Sequence, residues 1–270
     1  MVVAPSLFVN HGGGPYPIMG QHENLQIAES LRNVKEYVSL SELSAIIVVT
    51  AHWETQVINI SSNNKHNLLY DYNNFPKEAY TYKYGAPGNT ELAMNIYQAF
   101  AEEGIASVLD DSRGWDHGVF VPMMLINPAA NIPIVQLSIL ANQNAKDHYK
   151  MGEVLKRFRQ DGVAIIGSGM TYHNEAGFKK ARPSDGVIEN EDFDNFIDKA
   201  CRAEGEERKH MLLNWEREKG ALESHTRGEA DHFMPLIVNA GAGGIKGGEK
   251  VFSGVYLGKF KISGHIWREL

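Results

Sequence analysis

Apolar positions along this chain fall into two rhythms. Short apolar runs at 6–10, 45–49, 132–140 and 162–167 are rich in β-branched residues and bounded by polar or glycine-containing turns. The run Ala45-Ile46-Ile47-Val48-Val49 has no polar break, which predicts a strand buried on both faces, as in the middle of a parallel sheet. Between these runs, apolar residues recur at helical spacing. Leu25, Ile27, Ala28, Leu31 and Val34 predict a helix over 23–38, and further helices are expected at about 89–103, 119–126 and 145–160. Asn89 or Thr90 would cap the second of these, and Gly104 would close it. A strand is also read at 57–60, and 80–84 alternates like another.

The C-terminal third is more polar. Residues 182–219 are rich in charge and predict two covering helices at 189–203 and 206–216, with Gly205 between them. A short apolar helix is expected just after His232, then a glycine-rich loop over 240–248 and a strand pair at 251–257 and 260–267. Strands alternating with helices point to an α/β fold with a mostly parallel sheet. No repeat, low-complexity tract or linker divides the chain, so 1–270 reads as a single domain.

Composition narrows the function classes. A formal charge of −7 and the lack of a dense basic run argue against nucleic-acid binding. No apolar run approaches membrane-spanning length and the N-terminus lacks a signal-peptide pattern, so a cytoplasmic protein without a membrane partner is expected. Cys201 is the only cysteine, which excludes an intrachain disulfide and a thiolate metal cluster. With 11 histidines beside it, any metal site is built from nitrogen and oxygen donors.

Those histidines are not scattered evenly. His11 follows the first strand and opens His11-Gly12-Gly13-Gly14-Pro15; His52 follows the strand at 45–49; His173 follows that at 162–167; His232 starts an apolar helix. Ligands in open α/β sheets bind at the carboxyl ends of the strands, where these side chains would meet. The convergence points to a metal site. The glycine triplet after His11 also resembles a lipase oxyanion loop, but the nearest candidate for the required elbow, Ile166-Gly167-Ser168-Gly169, lacks the pattern. Asp116 occupies a helix N-cap position, with His117 in the first turn, where the helix dipole favours a neutral ring. His22, His66, His148 and His210 read as solvated surface groups, and His225 and His265 stay unassigned.

Several further segments form a pattern whose order and spacing matter more than any one piece. They are Phe8-Val9-Asn10-His11-Gly12, Val49-Thr50-Ala51-His52-Trp53-Glu54-Thr55, Tyr70-Asp71-Tyr72 with Phe75-Pro76, and Tyr84 with Ala86-Pro87-Gly88. Arg113-Gly114, Asp116-His117-Gly118, Val135-Gln136-Leu137-Ser138, Gly167-Ser168-Gly169 with His173-Asn174, and His232-Phe233 with Pro235-Leu236 continue the match. In order and spacing, these segments together resemble the class III extradiol ring-opening dioxygenases of the LigB-like superfamily, in particular the 4,5-DOPA dioxygenase group. The resemblance implies a three-layer α/β/α fold and non-haem metal chemistry on a small aromatic diol and O₂. Its metal positions fall on His11, His52 and His232, its acid–base position on His173, and a pocket histidine on His117. Fe(II) is expected for activity, and Zn(II) is a possible occupant that would recruit His173 as a fourth ligand.

The resemblance leaves choices open. Related enzymes use a carboxylate as third ligand, and Glu229 and Asp231 flank His232. The group often reads His-Gly-Ser-Pro where this chain has an extra residue and no hydroxyl, which alters the wall beside the metal. Tyr70, Tyr72, Phe75 and Trp115 are candidate substrate contacts, with packing under a loop as the alternative. A zinc hydrolase or amidase, and a non-catalytic binding protein, are the competing functions; neither the particular catechol nor the oligomeric state is encoded in any motif.

Overall fold

A computed structural model describes residues 3–181 and 188–270; 182–187, at the start of the polar stretch, lie outside the described residues. In chain order the elements are β1 (Ser6–Asn10), α1 (Tyr16–Met19), α2 (Leu25–Arg32), β2 (Ala45–Thr55), β3 (Ile58–Ser61), α3 (Thr90–Glu102), β4 (Ser107–Asp110), α4 (His117–Ile126) and β5 (Ile134–Leu140). There follow α5 (Ala145–Leu155), β6 (Val163–Gly169), α6 (Glu175–Lys180), α7 (Glu191–Arg202), α8 (Gly205–Leu213), α9 (Ala221–Ser224), α10 (Met234–Ala242), β7 (Glu249–Tyr256) and β8 (Phe260–Trp267).

The strands form one eight-stranded sheet in the order β4-β3-β5-β2-β6-β1-β8-β7. The centre is parallel: β5 pairs β2, β2 pairs β6 and β6 pairs β1 in the same direction. Antiparallel pairings flank it, β3 on β5 at one side and β8 on β1 with β7 on β8 at the other. Helices cover both faces. Side-chain alternation in β2 sends Ala45, Ile47 and Val49 into one apolar layer and Ile46 and Val48 into the other. β6 splits likewise, with Val163 and Ile165 on one face and Ala164 and Ile166 on the other. The unbroken apolar runs therefore reflect two-sided burial, and the fold is a three-layer α/β/α arrangement.

Several expectations shift in detail. The helix read over 23–38 is regular only across α2, with 3₁₀ turns at His22–Asn24 and Asn33–Glu36, where asparagines flank it. Residues 80–84 form no strand. Their alternation comes from side-chain anchoring instead, since Tyr84 donates its hydroxyl to the Asn127 carbonyl and the Tyr82 carbonyl accepts from Tyr70. The loop expected from residue 240 begins later, because α10 continues to Ala242. β2 does not stop at Val49. Its register against β5 jumps between Val49, opposite Leu137, and Glu54, opposite Ile139. Residues 50–53 form a bulge at the carboxyl end of the strand, and His52 sits on it.

Candidate metal centre

Four elements deliver the site. β1 ends at Asn10, whose amide donates to the Ser263 carbonyl on β8 and accepts from Thr171 N–H beyond β6, at 2.9 and 3.0 Å. That clamp fixes the next residue, His11, whose backbone N–H is taken by the Gly169 carbonyl. The bulge in β2 carries His52. Its backbone is held by the Thr50 hydroxyl at 3.2 Å and by Arg113, which donates to the His52 carbonyl at 3.1 Å.

The glycines ending β6 explain how His232 arrives. Gly167 and Gly169 face α10 and the turn before it. A Cβ on Gly169 would overlap the His232 carbonyl, and one on Gly167 would overlap Asn239 and Pro235. Ser168, between them in the strand's alternation, points to the opposite face, toward Gly118 and His11. Gly-Ser-Gly here is a close-packing device carrying one hydroxyl.

The result is a cluster of imidazoles. One ring nitrogen from each of His11, His52 and His232 lies within 4.8 Å of the others, and His11 Nε2 is 3.1 Å from His52 Nε2. Two nitrogens each roughly 2.0–2.1 Å from one ion would stand about 3 Å apart, so this spacing fits shared coordination. His11 Nδ1 lies 3.0 Å from Ser168 Oγ, which donates its own proton to the Gly118 carbonyl. Ser168 therefore accepts, His11 carries its proton on Nδ1, and Nε2 offers a lone pair toward His52. His232 Nδ1 is buried without a hydrogen-bond partner; Asp231 Oδ1 is 3.1 Å away but misaligned and already accepts from the His232 backbone N–H. An all-nitrogen set of three imidazoles this close together suits a divalent transition metal.

Electrostatics favour the same reading. Burial, followed by mutual repulsion among the imidazoles, drives His11 and His232 well below the usual histidine range and His52 down to about 3. The rings are neutral at neutral pH, the form that binds a metal.

His173 and His117 border this centre. The His173 ring lies flat on His232, with centroids 3.5 Å apart and an interplanar angle of 7°, and burial lowers its proton affinity. His117 opens α4. Its Nδ1 and backbone N–H both meet Asp71 Oδ1 at 2.9 Å, while Asp71 Oδ2 is 3.6 Å from His52 Nδ1. Burial opposes ionisation of Asp71, but these histidine contacts hold its carboxyl below the usual range. Asp116 stands at the N-cap position of α4 without capping it, because its oxygens are committed to Thr50, Arg113 and Gln136. Through Arg113 and Thr50 it braces the His52 bulge.

A cavity of about 250 Å³ opens beside the rings. Gly12, Gly13 and Gly14 form one wall, Tyr72 and Phe75 another, and Met170, Phe178 and Tyr256 a third, with Glu175 among the lining. Of the aromatic contacts expected from sequence, Tyr72 lines the cavity, whereas Tyr70 and Trp115 do not. The Tyr70 hydroxyl is tied back to the Tyr82 carbonyl. Trp115 is fully buried behind the site, stacked on His66 at 5.1 Å. Glu229 is exposed and lies outside the cluster; Asp231 approaches His173 and His232 instead. His148, expected on the surface, is buried, since its ring bridges Asn144 and Leu140 at the start of α5.

The sequence profile of the catalytic LigB subunit of aromatic ring-opening dioxygenase matches residues 5–260. The chain belongs to the LigB family. Its LigB relatives include dioxygenase tasH of Hapsidospora irregularis, 36% identical over 96% of this chain and 84% of that protein. The 4,5-DOPA dioxygenase extradiol of Beta vulgaris is 34% identical, with 90% and 88% covered, and that of Escherichia coli K12 is 30% identical, with 88% and 84% covered. Among solved structures, an uncharacterized protein of Escherichia coli K12, JW3007, superposes with a TM-score of 0.76 at 25% identity, covering 97% of this chain and 99% of its own. This LigB-family chain is an extradiol-type dioxygenase, an enzyme of a metal-dependent family acting on an aromatic substrate with O₂. Among the described residues no helix is long and apolar enough to cross a membrane.

Proposed function

We propose that the enzyme opens single-ring catechols beside the diol, with Fe(II) as its working metal, to give muconic semialdehyde-type products. The observation that carries this reading is the juxtaposition of three neutral imidazoles with a fourth, His173, on the wall of a cavity of about 250 Å³. Pockets of that size suit one aromatic ring with a short substituent.

His11, His52 and His232 would hold the ion, with sites left for ligands from outside the protein. When bound, Fe(II) would supply the electron transfer between catechol and O₂ that neither reactant achieves alone. The remaining chemistry belongs to side chains. His173, neutral and facing the cavity, takes a proton from a catechol hydroxyl and later returns it to the oxygen that leaves. His117 donates a hydrogen bond from Nδ1 to the Asp71 carboxylate, which fixes its ring and leaves Nε2 to meet the second hydroxyl. Tyr72, Phe75 and Phe178 hold the ring and exclude water.

The test is anaerobic reconstitution with Fe(II), followed by O₂ uptake on a panel including 4-methylcatechol and DOPA. Uptake matched by a yellow ring-opened product is expected. Activity of the zinc form on amides or esters in air-free buffer, without O₂ uptake on any catechol, would overturn the reading.

A further inference from the structure

We infer that Gln143 is a positioning residue for the metal centre, setting the separation of His52 and His232. This rests on the three-histidine reading above. Gln143 follows β5 in the turn leading to α5 and is not part of the cavity lining. Its side chain nonetheless joins the two segments that carry those ligands. Nε2 donates to Glu54 Oε1 at 2.9 Å, two residues beyond His52 on β2. Oε1 accepts from the Ala230 N–H at 2.7 Å, two residues before His232.

The far end of this bridge is itself anchored. The Ala230 carbonyl accepts from the Phe233 and Met234 N–H groups, so one residue carries the turn into α10, bound to Gln143 through its N–H and to the helix start through its carbonyl. The near end lies where β2 resumes pairing after its bulge, at Glu54 opposite Ile139, and the adjacent Thr55 carbonyl accepts from Ala141 N–H at 2.8 Å. One amide thus spans the place where a bulged strand and a helix-entry turn must keep a fixed distance.

Gln143 occupies the left-handed backbone region, with φ +47. Glycine adopts that conformation without strain, and a side chain there persists only when something else holds it. A turn whose sole task was to reverse the chain would be served better by glycine. Besides the backbone bond from Gln143 N–H to the Leu140 carbonyl, the two side-chain hydrogen bonds are what a glycine here could not supply.

That contrast provides the test. Gln143→Gly relieves the backbone while deleting the bridge, and Gln143→Glu keeps an acceptor for Ala230 N–H while losing donation to Glu54. Zinc affinity of each purified full-length variant is measured by competition with a chromophoric chelator, alongside the thermal midpoint. Gln143→Gly should keep its midpoint yet bind zinc roughly tenfold or more weakly, the range seen when groups that orient metal ligands are removed. Gln143→Glu should recover part of that loss. Unchanged affinity in Gln143→Gly overturns the inference, and so does a fall in affinity that merely tracks a lower midpoint. His52→Ala is run in parallel. If it binds zinc as tightly as the parent, the three-histidine reading fails, a result separable from failure at Gln143 alone.

Discussion

Ser168 and His11, 157 positions apart in sequence, share a hydrogen bond of 3.0 Å that decides which nitrogen of His11 faces the cluster. The Ser168 hydroxyl is spent on the Gly118 carbonyl, so it can only accept from the ring. Ser168→Ala leaves His11 free to adopt the other tautomer or to turn. Metal affinity should fall about 10–100-fold, as for other partners of metal-bound histidines. Chelator competition measures it, and an unchanged affinity would show that the His11 tautomer is fixed by the ion alone.

His232→Ala should release the metal, because two imidazoles hold a divalent ion poorly against chelating buffer. The appropriate control is an exposed histidine, His22 or His210, whose replacement should leave metal content unchanged. His148 is unsuitable because it is buried. Elemental analysis after dialysis decides the matter. Full occupancy in the His232 variant would shift the third ligand to Asp231 or His173.

Replacing His173 by asparagine should separate proton transfer from metal binding. The variant is expected to keep iron and bind a catechol anaerobically while losing about 10²–10⁴-fold in turnover. Iron content, catecholate absorbance and O₂ consumption on one preparation provide the readout. Iron lost in step with activity would instead make His173 a ligand.

The buried His148 predicts an acid limb in stability. Its Nδ1 proton goes to the Asn144 carbonyl and Nε2 accepts from Leu140 N–H, so a second proton breaks a bond. Burial lowers its folded-state value from 6.5 to about 4. The unfolded chain then binds the proton first. The contribution is fully present above about pH 6.5 and is lost as pH falls toward 4, amounting to at most about 3 kcal/mol. His148→Gln should flatten this part of a urea-unfolding series between pH 7 and 4. An identical slope in parent and variant would assign the acid limb to other groups.

Gly14→Ala tests the cavity wall. Gly14 has φ +50, and an added Cβ would lie 2.9 Å from Phe75. Strain at the backbone should cost about 1 kcal/mol or more. Displacement of Phe75 should raise KM for substituted catechols more than for catechol itself. Equal effects on both would place the glycine loop outside the substrate's reach.

Much of this architecture is legible in the chain. Two-sided strands such as β2 and β6 announce themselves as uninterrupted apolar runs, and histidines just beyond strand ends point to a shared edge. What escapes is information carried by single polar contacts between distant segments. Asp71, quoted only as part of a motif, turns out to orient His117; Asp116 gives up its local capping role for Thr50, Arg113 and Gln136. Trp115 shows the ambiguity of an aromatic beside a site residue, which sequence leaves open between substrate contact and packing; its ring packs inward onto His66. α6, short and rich in charge, carries too little apolar periodicity to be anticipated, although Glu175 and Phe178 on it line the cavity.

The order in which the chain is made bears on when this centre can exist. His11 and His52 emerge early, but β1 finds its neighbours only in β6 and β8, and the third imidazole is supplied from residue 232. Pairings of such long sequence separation form late, after the intervening loops have closed. Before those pairings form, the chain would offer incoming ions scattered histidines and no pocket. The enzyme would acquire its metal only once β6 and β8 have locked β1 in place.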